Sequence, residues 1–246
     1  MLNIVIPMAG YGSRFAKAGF QDPKPLIQVL GKPMIQLVIE NLTPNQEHRF
    51  IFICQDQHLS NYPLRSLLES MAPDCKIIPV NKVTEGAACT VLLAKKYIDN
   101  SDPLMIANCD QYIDFDANDY LAQMDGNGLD GLIMTMYAYD NKWSFVELNN
   151  KEEIVRVVEK EVISDQATVG IYNFAVGADF VRFAELMINK NLRVNGEFYV
   201  APVYNEMILA GKKILRFNIG SLGQKMFGLG TPEDLSIFLN EKKFSE

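Results

Sequence analysis

Short apolar runs alternate with amphipathic stretches along the first half of the chain. Residues 2–6 form an apolar run that predicts a buried strand, and residues 33–42 place their apolar side chains on one face of a helix. The same patterns predict strands at 50–54, 76–80 and 104–107 and helices at 64–71 and 86–98. Strands that alternate with helices are typical of a mostly parallel sheet with helices on both faces.

The second half is less regular and richer in predicted strands. Its apolar runs predict strands at 131–137, 142–148, 154–158, 168–174 and 214–219, and helices at 178–188 and 198–209. Pro202 would enter the latter helix near its first turn. Thr231, Pro232 and Asp234 fit the start of a last helix, with Thr231 as its N-cap. Because the composition marks no boundary, we predict one Rossmann-like α/β domain over residues 1–246, with a mixed, mostly parallel central sheet.

The composition narrows the class of protein. The chain has 246 residues, 48% of them hydrophobic and 22% charged, which is ordinary for a globular domain. Its net charge of −7 argues against a nucleic-acid partner. No apolar run reaches the ~18 residues of a membrane span, and the N-terminus lacks the basic start of a signal peptide. We therefore expect a cytoplasmic protein with no membrane partner, whose four cysteines are reduced thiols.

A glycine-rich loop follows the first predicted strand. It contains Gly10, Gly12 and Arg14 and leads to Lys24, which has proline on both sides. Glycine lets backbone N–H groups approach a bulky anion, and a guanidinium suits phosphate oxygens. The prolines predict an extended backbone around Lys24. The spacing differs from the G-x-G-x-x-G and P-loop motifs, and a tight turn is the alternative, but the loop and Lys24 together favour a polyphosphate site.

A second polar group follows the strand predicted at 104–107. Asn108 and Asp110 come at the carboxyl end of that strand, where the ligands of such sheets gather. A carboxylate there suits Mg²⁺, which needs one or two protein carboxylates when phosphates complete its shell. The alternative for Asp110 is a cap or turn residue.

Other chemistries find little support in the sequence. His48 and His58 are the two histidines, and neither accompanies a serine nucleophile motif, so a catalytic triad is not expected. No Cys/His cluster suggests zinc. Trp143 falls within a predicted strand, where packing is favoured over stacking on a ligand.

The first loop resembles a family signature. G-x-G-x-R at residues 10–14, followed by P-K-P-L at 23–26, is similar to the signature of the sugar nucleotidyltransferases, also called nucleoside-diphosphate-sugar pyrophosphorylases. Pro7 and Met8 depart from the usual L-A-A-G opening and resemble the bacterial capsule and surface-polysaccharide type. The resemblance covers most of the chain and implies a nucleotide-diphospho-sugar transferase-like fold.

The resemblance implies the residues of the nucleotide side. Arg14 would neutralise the departing pyrophosphate, Lys24 would lie at the α-phosphate and Asp110 would hold Mg²⁺; these three are the implied catalytic residues. The implied nucleotide-binding set also includes Met8, Ala9, Gly10, Gly12, Gln55, Thr84, Glu85, Gly86 and Asn108. For Thr84, capping the next helix is the alternative role.

The resemblance also implies an acceptor side. Lys160 would face the acceptor phosphate beside Glu159, and Gly170 would let the acceptor approach. Glu197 and Tyr199 belong to a segment that resembles a lining of the acceptor pocket, with a core position as the alternative for Tyr199.

One position departs from the family pattern. In similar chains a second Asp commonly precedes G-T-P, whereas here Gly228 stands at that place before the G-T-P of residues 230–232. Either Asp110 is then the one protein carboxylate on the metal, or another residue substitutes. Asp114 and Asp116 are near Asp110 in sequence.

The resemblance implies a reaction in which an NTP and a phosphorylated acceptor give an NDP-linked product and pyrophosphate, with Mg²⁺ as cofactor. We expect a pyrimidine nucleotide, CTP ahead of UTP and dTTP, and a sugar 1-phosphate for capsule or surface-polysaccharide synthesis. The alternatives are a cytidylyltransferase for acceptors such as phosphocholine or phosphoglutamine, a metal-dependent glycosyltransferase of related fold, and a non-catalytic nucleotide-binding protein. The oligomeric state stays open, a homo-oligomer included.

Overall fold

The chain is built around a large β-sheet flanked by helices. The computed structural model describes residues 1–125 and 128–243. The strands are β1 Leu2–Met8, β2 Gln28–Val29, β3 Lys32–Pro33, β4 His48–Gln55, β5 Lys76–Val80, β6 Leu104–Ala107, β7 Gln111–Ile113, β8 Gly131–Tyr137, β9 Ser144–Leu148, β10 Ile154–Glu159, β11 Gln166–Phe174, β12 Ile214–Ser221 and β13 Met226–Gly228. The helices are α1 Ser13–Lys17, α2 Met34–Leu42, α3 Asp56–Asn61, α4 Leu64–Met71, α5 Ala87–Leu92, α6 Lys95–Ile98, α7 Ala117–Ala122, α8 Gly177–Asn189, α9 Val203–Leu209, α10 Pro232–Lys243 and the 3-10 helix Lys24–Leu26.

Within the described ranges, nine strands form the central sheet. Their order is β10-β9-β11-β6-β1-β4-β5, with β8 paired to β11 and β12 paired to β8. β1 is parallel to β4 and β6, whereas β11 is antiparallel to β6, β8 and β9. All of these strands except β10 and β11 therefore point the same way. The prediction of a single α/β domain with a mixed, mostly parallel sheet is confirmed.

Alternate residues of β1 show why helices cover both faces of the sheet. Ile4 and Ile6 belong to a buried cluster that includes α2 and α4, whereas Val5 belongs to a second cluster that includes α8 and α9. Successive side chains of a strand point to opposite faces, so an apolar run is buried on both sides. A third cluster joins Phe15, after the glycine loop, to Leu229 and α10.

Two predicted helices are shorter than expected. Residues 86–98 form α5 and α6, because Leu93 and Ala94 donate to carbonyls three residues back and interrupt the α-helical ladder. Residues 198–201 lie outside α9, because the backbone of Phe198 is bound by residues 85 and 88, at N–O distances of 2.8 and 3.0 Å. Pro202 is accordingly the N-cap of α9.

Several short elements carry no pattern long enough to predict them. The strand predicted from residue 142 begins at Ser144, so Trp143 lies before the strand and not within it. The pair of β7 and β13, which places Gly228 opposite Gln111, was not predicted. This pair brings the G-T-P segment beside Asp110, whose carbonyl accepts a hydrogen bond from the Leu229 N–H at 2.7 Å.

The start of the last helix is as predicted. α10 begins at Pro232, and the Asp234 N–H donates to Thr231 Oγ1 at 3.1 Å. The Thr231 hydroxyl donates in turn to Asp234 Oδ2 at 2.7 Å. Over the described residues, every helix is too short or too polar to reach from one face of a membrane to the other.

Candidate active site

The glycine loop and the residues after β6 meet at one edge of the sheet. β1 and β6 are parallel neighbours, so their carboxyl ends lie side by side. Between them is a cavity of about 270 Å³, which we call the loop cavity. It is lined by Pro7, Met8, Gly10, Gly12, Lys24, Pro25, Asn108, Cys109 and Asp110. The predicted polyphosphate loop and the predicted metal ligand thus share one cavity.

Lys24 and Asp110 form an ion pair in the loop cavity. Lys24 Nζ donates to Asp110 Oδ2, and both side chains are largely buried. Burial opposes the charge of Lys24, but the Asp110 carboxylate outweighs it, so the pKa of Lys24 is raised. Lys24 is therefore a cation at neutral pH, and an ammonium has three N–H donors, of which this pair uses one.

The prediction of an extended backbone at Lys24 is wrong. Lys24 opens the 3-10 helix, which is closed by the Leu26 N–H donating to the Pro23 carbonyl at 2.8 Å. Gly12 has φ +60°, and a Cβ on it would lie 3.2 Å from Lys24 Cβ. The turn therefore holds Lys24 against the glycine loop, and glycine at position 12 provides both the positive φ and the close approach.

Arg14 and Gln55 hold different places around the loop. Arg14 is exposed on α1, and its charge acts against protonation of Lys24, which shows that two cations lie close together. Gln55 is buried, and its Nε2 donates to the Ala9 carbonyl at 2.5 Å. This hydrogen bond holds the backbone at the start of the glycine loop, and Gln55 does not line the loop cavity.

Cys109 lines the same cavity but is a poor nucleophile. Burial raises the pKa of its thiol to about 11. The thiol is then protonated at neutral pH, and the thiolate is the reactive form of cysteine.

A second cavity adjoins the first one on the side of β9, β10 and β11. This strand cavity, of about 290 Å³, shares Pro7 and Asn108 with the loop cavity. Its other lining residues are Ala87, Ile106, Lys142, Trp143, Ser144, Glu159, Lys160, Thr168, Gly170, Tyr172, Tyr199, Val200 and Ala201. Four predicted acceptor residues, Glu159, Lys160, Gly170 and Tyr199, are therefore together, whereas Lys142, Ser144 and Thr168 were not singled out from the sequence.

Glu159 and Lys160 are each held by a neighbouring hydroxyl. Ser144 donates to Glu159 Oε2, and Lys160 Nζ donates to the Tyr199 hydroxyl. Burial raises the pKa of Glu159 against the opposing effects of Ser144 and Lys160. The Tyr199 hydroxyl bond is the main cause of a raised pKa for Lys160. The strand cavity thus holds a fixed cation next to a carboxylate that is easier to protonate than usual.

Gly170 is required by its contact with Asn108. It has φ +80°, and a Cβ there would lie 2.1 Å from Asn108 Nδ2. The Asn108 N–H also donates to the Gly170 carbonyl at 3.0 Å. The glycine therefore fixes Asn108, one of the two residues that both cavities share, and the sequence did not reveal this role.

The predicted base-binding turn lies next to the strand cavity. Gly86, and not Thr84, is the N-cap of α5; the Thr84 hydroxyl donates to the Gly86 carbonyl at 2.9 Å, so Thr84 is not the helix cap. Gly86 has φ +130°, and a Cβ there would meet the Phe198 carbonyl oxygen at 2.4 Å. Glu85 is paired with Arg193. Backbone contacts thus join the turn to the segment that carries Tyr199.

Glu197 is the predicted acceptor residue that stands apart. It is exposed, and its N–H and C=O bond to Val194 in an outer loop. It lies near enough to Glu159 to contribute to the raised pKa of that carboxyl. It does not line the strand cavity.

A third cavity lies between the loop and the start of the last helix. This α10 cavity has about 400 Å³ and is lined by Arg14, Asn108, Asp110, Gln111, Lys142, Trp143, Met226, Gly228, Gly230, Thr231, Glu233 and Asp234. Asp114 is exposed and Asp116 caps α7 through the Asn118 N–H, and neither lines this cavity. The three cavities therefore form one groove, joined at Asn108.

Known proteins share this fold. A nucleoside-diphosphate-sugar pyrophosphorylase from Vibrio cholerae RC9 superposes with a TM-score of 0.82 and 26% identity, over 96% of this chain and 99% of that chain. A UDP-glucose pyrophosphorylase complexed with UDP-glucose superposes with a TM-score of 0.78 over 100% of both chains; its 19% identity makes this a likeness of fold.

Curated proteins with similar sequences are also nucleotidyltransferases. The mannose-1-phosphate guanylyltransferase catalytic subunit beta of Danio rerio is 24% identical over 180 residues, which are 71% of this chain and 50% of that protein. The chain spans about half the length of the curated relatives that it matches first. The bases and sugars in these names differ between relatives. The model of the nucleotidyl transferase family matches residues 4–195, and the chain belongs to that family.

Proposed function

We propose that this chain transfers a nucleoside monophosphate from an NTP to a sugar 1-phosphate, or a similar phosphorylated small molecule, and releases pyrophosphate. The observation that carries the proposal is the junction of the loop and strand cavities at Asn108. Lys24 provides a buried cation in the first cavity and Lys160 a fixed cation in the second. A polyphosphate and an acceptor phosphate each need such a cation, and here the two substrates would lie side by side.

The transfer needs no covalent enzyme intermediate. An acceptor phosphate oxygen attacks the α-phosphorus and forms a new P–O bond, while the bond from that phosphorus to the bridging oxygen breaks and pyrophosphate leaves with the electron pair. Because the acceptor phosphate is already ionised near pH 7, no strong general base is required. The protein then acts by positioning the reactants and by neutralising charge.

Each charged side chain has a place in this scheme. The Gly10–Gly12 backbone would hold the triphosphate, Lys24 the α-phosphate and Arg14 the departing pyrophosphate. Lys160 would bind the acceptor phosphate. Glu159, Ser144 and Thr168 offer oxygen atoms to acceptor hydroxyls, which favours a sugar among the acceptors.

Asp110 has the chemistry of a Mg²⁺ ligand. Its Oδ2 faces Gly230, where a Cβ would lie 2.9 Å away, so the absence of a side chain at 230 leaves room at the carboxylate. Mg²⁺ binds through one or two carboxylates together with phosphate oxygens. A Mg²⁺ ion held by Asp110 would supply positive charge that offsets the negative charge of the phosphates.

We also propose a pyrimidine nucleotide, with CTP ahead of UTP and dTTP, and a role in capsule or surface-polysaccharide precursors. The Pro7-Met8 opening of the loop supports this assignment. For the base, Thr84, Glu85 and Gly86 offer backbone groups beside the strand cavity.

Pyrophosphate release tests the function directly. The four common NTPs and dTTP are each combined with Mg²⁺ and a panel of sugar 1-phosphates, phosphocholine and phosphoglutamine. We expect release with one nucleotide and one acceptor, which would identify both. A nucleotide that raises the melting temperature without release with any acceptor would favour a binding protein. Sugar transfer from an NDP-sugar without pyrophosphate release would favour a glycosyltransferase.

A further inference from the structure

The α10 cavity contains a carboxylate at the place that Gly228 leaves open. A Cβ on Gly228 would lie 3.5 to 3.7 Å from Asp234, with its nearest contacts at Cγ and Oδ2. A side chain at position 228 would therefore extend into the space beside the Asp234 carboxyl group. Asp234 thus brings a carboxylate from α10 to the position where β13 has none.

Asp234 and Asp110 face the same space. Both line the α10 cavity, and between their backbones run Gly228 and Gly230, which carry no side chains to separate them. The hydroxyl of Thr231 donates to Asp234 Oδ2 and so orients the carboxylate. Oδ1 has no hydrogen-bond partner among residues 1–125 and 128–243, so one oxygen is available to a ligand.

A buried amide in the same cavity has an N–H group that is available to a ligand. Gln111 is 5% exposed and lines the α10 cavity, yet its Nε2 has no hydrogen-bond partner within the described part of the chain. A buried amide N–H without a partner is costly. A phosphate oxygen or an ordered water held between the two carboxylates would satisfy it.

We propose that Asp234 is the second protein carboxylate for the divalent cation, in place of a residue at 228. The proposal rests on the proposed function, because it assumes a cation at Asp110. Two carboxylates from separate elements, completed by phosphate and water oxygens, match the way proteins bind Mg²⁺. The first turn of α10 would then close the metal site as well as cap the helix.

Mn²⁺ quenching of tryptophan fluorescence measures this site without turnover. Trp143 is the one tryptophan of the chain and lines the α10 cavity, so bound Mn²⁺ would quench its emission. The titration is run with Mn²⁺ alone and with Mn²⁺ plus CTP, UTP or dTTP, in the absence of any acceptor. We expect D234N to weaken Mn²⁺ binding by about tenfold or more, as the loss of a contact in a metal site does. D234N keeps an oxygen that can accept from Thr231, so thermal unfolding should change little.

Two further variants make the test specific. E233Q removes the neighbouring exposed carboxylate of the same cavity and should leave Mn²⁺ affinity within about twofold, since an exposed charge acts weakly. The double variant G228D/D234N should restore binding, because a side chain at 228 has ordinary contact distances to position 234. Equal weakening by E233Q and D234N, or unchanged affinity in D234N, would overturn the role of Asp234.

D110N separates this proposal from the proposed function. If D110N abolishes quenching and D234N does not weaken it, the cation site stands and Asp234 is a helix cap. If the wild-type protein shows no Mn²⁺-dependent quenching, either with Mn²⁺ alone or with CTP, UTP or dTTP present, both the cation site and the role of Asp234 are rejected.

Discussion

The loop cavity and the strand cavity balance their charges in different ways. In the loop cavity Lys24 pairs directly with Asp110, and the charge of Arg14 crowds the same cation. In the strand cavity the charges are held by neutral hydroxyls, from Ser144 to Glu159 and from Tyr199 to Lys160. The loop cavity therefore has an excess of positive charge that a bound anion would neutralise. In the strand cavity the charged groups already have hydrogen-bond partners that hold them in place. We therefore expect substitutions in the loop cavity to change kcat and those in the strand cavity to change KM and stability.

Lys24→Ala should have the largest effect. In the proposed function its charge acts on the α-phosphate, where negative charge develops during transfer, so kcat should fall about 10²- to 10³-fold while KM for the NTP rises less. Steady-state kinetics with the NTP varied separates the two constants. Lys17→Ala, an exposed lysine in the last turn of α1, is the matched control and should retain activity. An unchanged kcat in Lys24→Ala would remove the distinction between the cavities.

Gly170→Ala should disturb the junction of the two cavities. Gly170 and Gly211 have φ of +80° and +79°, but a Cβ at Gly211 has nothing within 4 Å, whereas one at Gly170 meets Asn108 Nδ2 at 2.1 Å. Both variants carry the strain of an alanine at positive φ. The difference in stability between them therefore measures the clash with Asn108 alone. We expect Gly170→Ala to cost about 2 kcal/mol more than Gly211→Ala, since overpacking costs about 1–3 kcal/mol.

Thermal unfolding measures this difference. For a chain of this length we expect the melting temperature of Gly170→Ala to lie roughly 4–8 °C below that of Gly211→Ala. Its kcat and both KM values should change together, because Asn108 lines both cavities. Equal melting temperatures would show that Asn108 rotates away without cost.

Lys160→Ala tests whether the strand cavity binds the phosphorylated acceptor. Loss of a charge-assisted hydrogen bond to the acceptor phosphate would raise KM for the acceptor about 10- to 100-fold. KM for the NTP should stay the same, because Lys160 does not line the loop cavity. Lys151→Ala, in an exposed turn nearby, is the control. If both KM values rose equally in Lys160→Ala, the two cavities would not divide the substrates.

The same contrast explains what the sequence predicts well. The strands before the loop cavity are buried on both faces, so they appear as apolar runs, and Gly10, Asn108 and Asp110 follow the ends of those strands closely. This logic placed the first loop and residues 108–110 at carboxyl ends of strands, and the structure brings Lys24 and Asp110 into contact there. The prediction of an extended backbone at Lys24 was wrong because a local 3-10 turn outweighs the preference for extended backbone of a residue before proline.

The missed features depend on contacts between distant segments. Asp234 reaches the groove through the pairing of β7 with β13, strands of three residues that leave no periodic pattern. Phe198 is kept out of α9 by backbone bonds to residues 85 and 88. Gly170 owes its importance to Asn108, which lies 62 positions earlier in the sequence. Hydrophobic spacing reports which face of an element is buried, but it does not report what the element is buried against.

Glu159→Gln should have the smallest effect and a distinct dependence on pH. Burial raises the folded-state pKa of Glu159 above its usual value of 4.5, so the folded protein holds this proton more tightly than the unfolded chain. Wild-type stability should therefore decline as pH rises from the unfolded-state value through the raised pKa, and then level off. The melting temperature of Glu159→Gln relative to wild type should increase over that window.

The variant also discriminates between rigidity and charge in the strand cavity. Glutamine keeps an oxygen to accept from Ser144, so the hydroxyl contact can survive while the charge is lost. If Glu159 accepts hydrogen bonds from hydroxyl groups of the acceptor substrate, KM for that substrate should rise modestly at neutral pH and kcat should not change. A pH-independent difference in melting temperature would mean that Ser144 and Lys160 stabilise the carboxylate enough to cancel its burial. The strand cavity would then be balanced by charge, as the loop cavity is, and the contrast between the two would be lost.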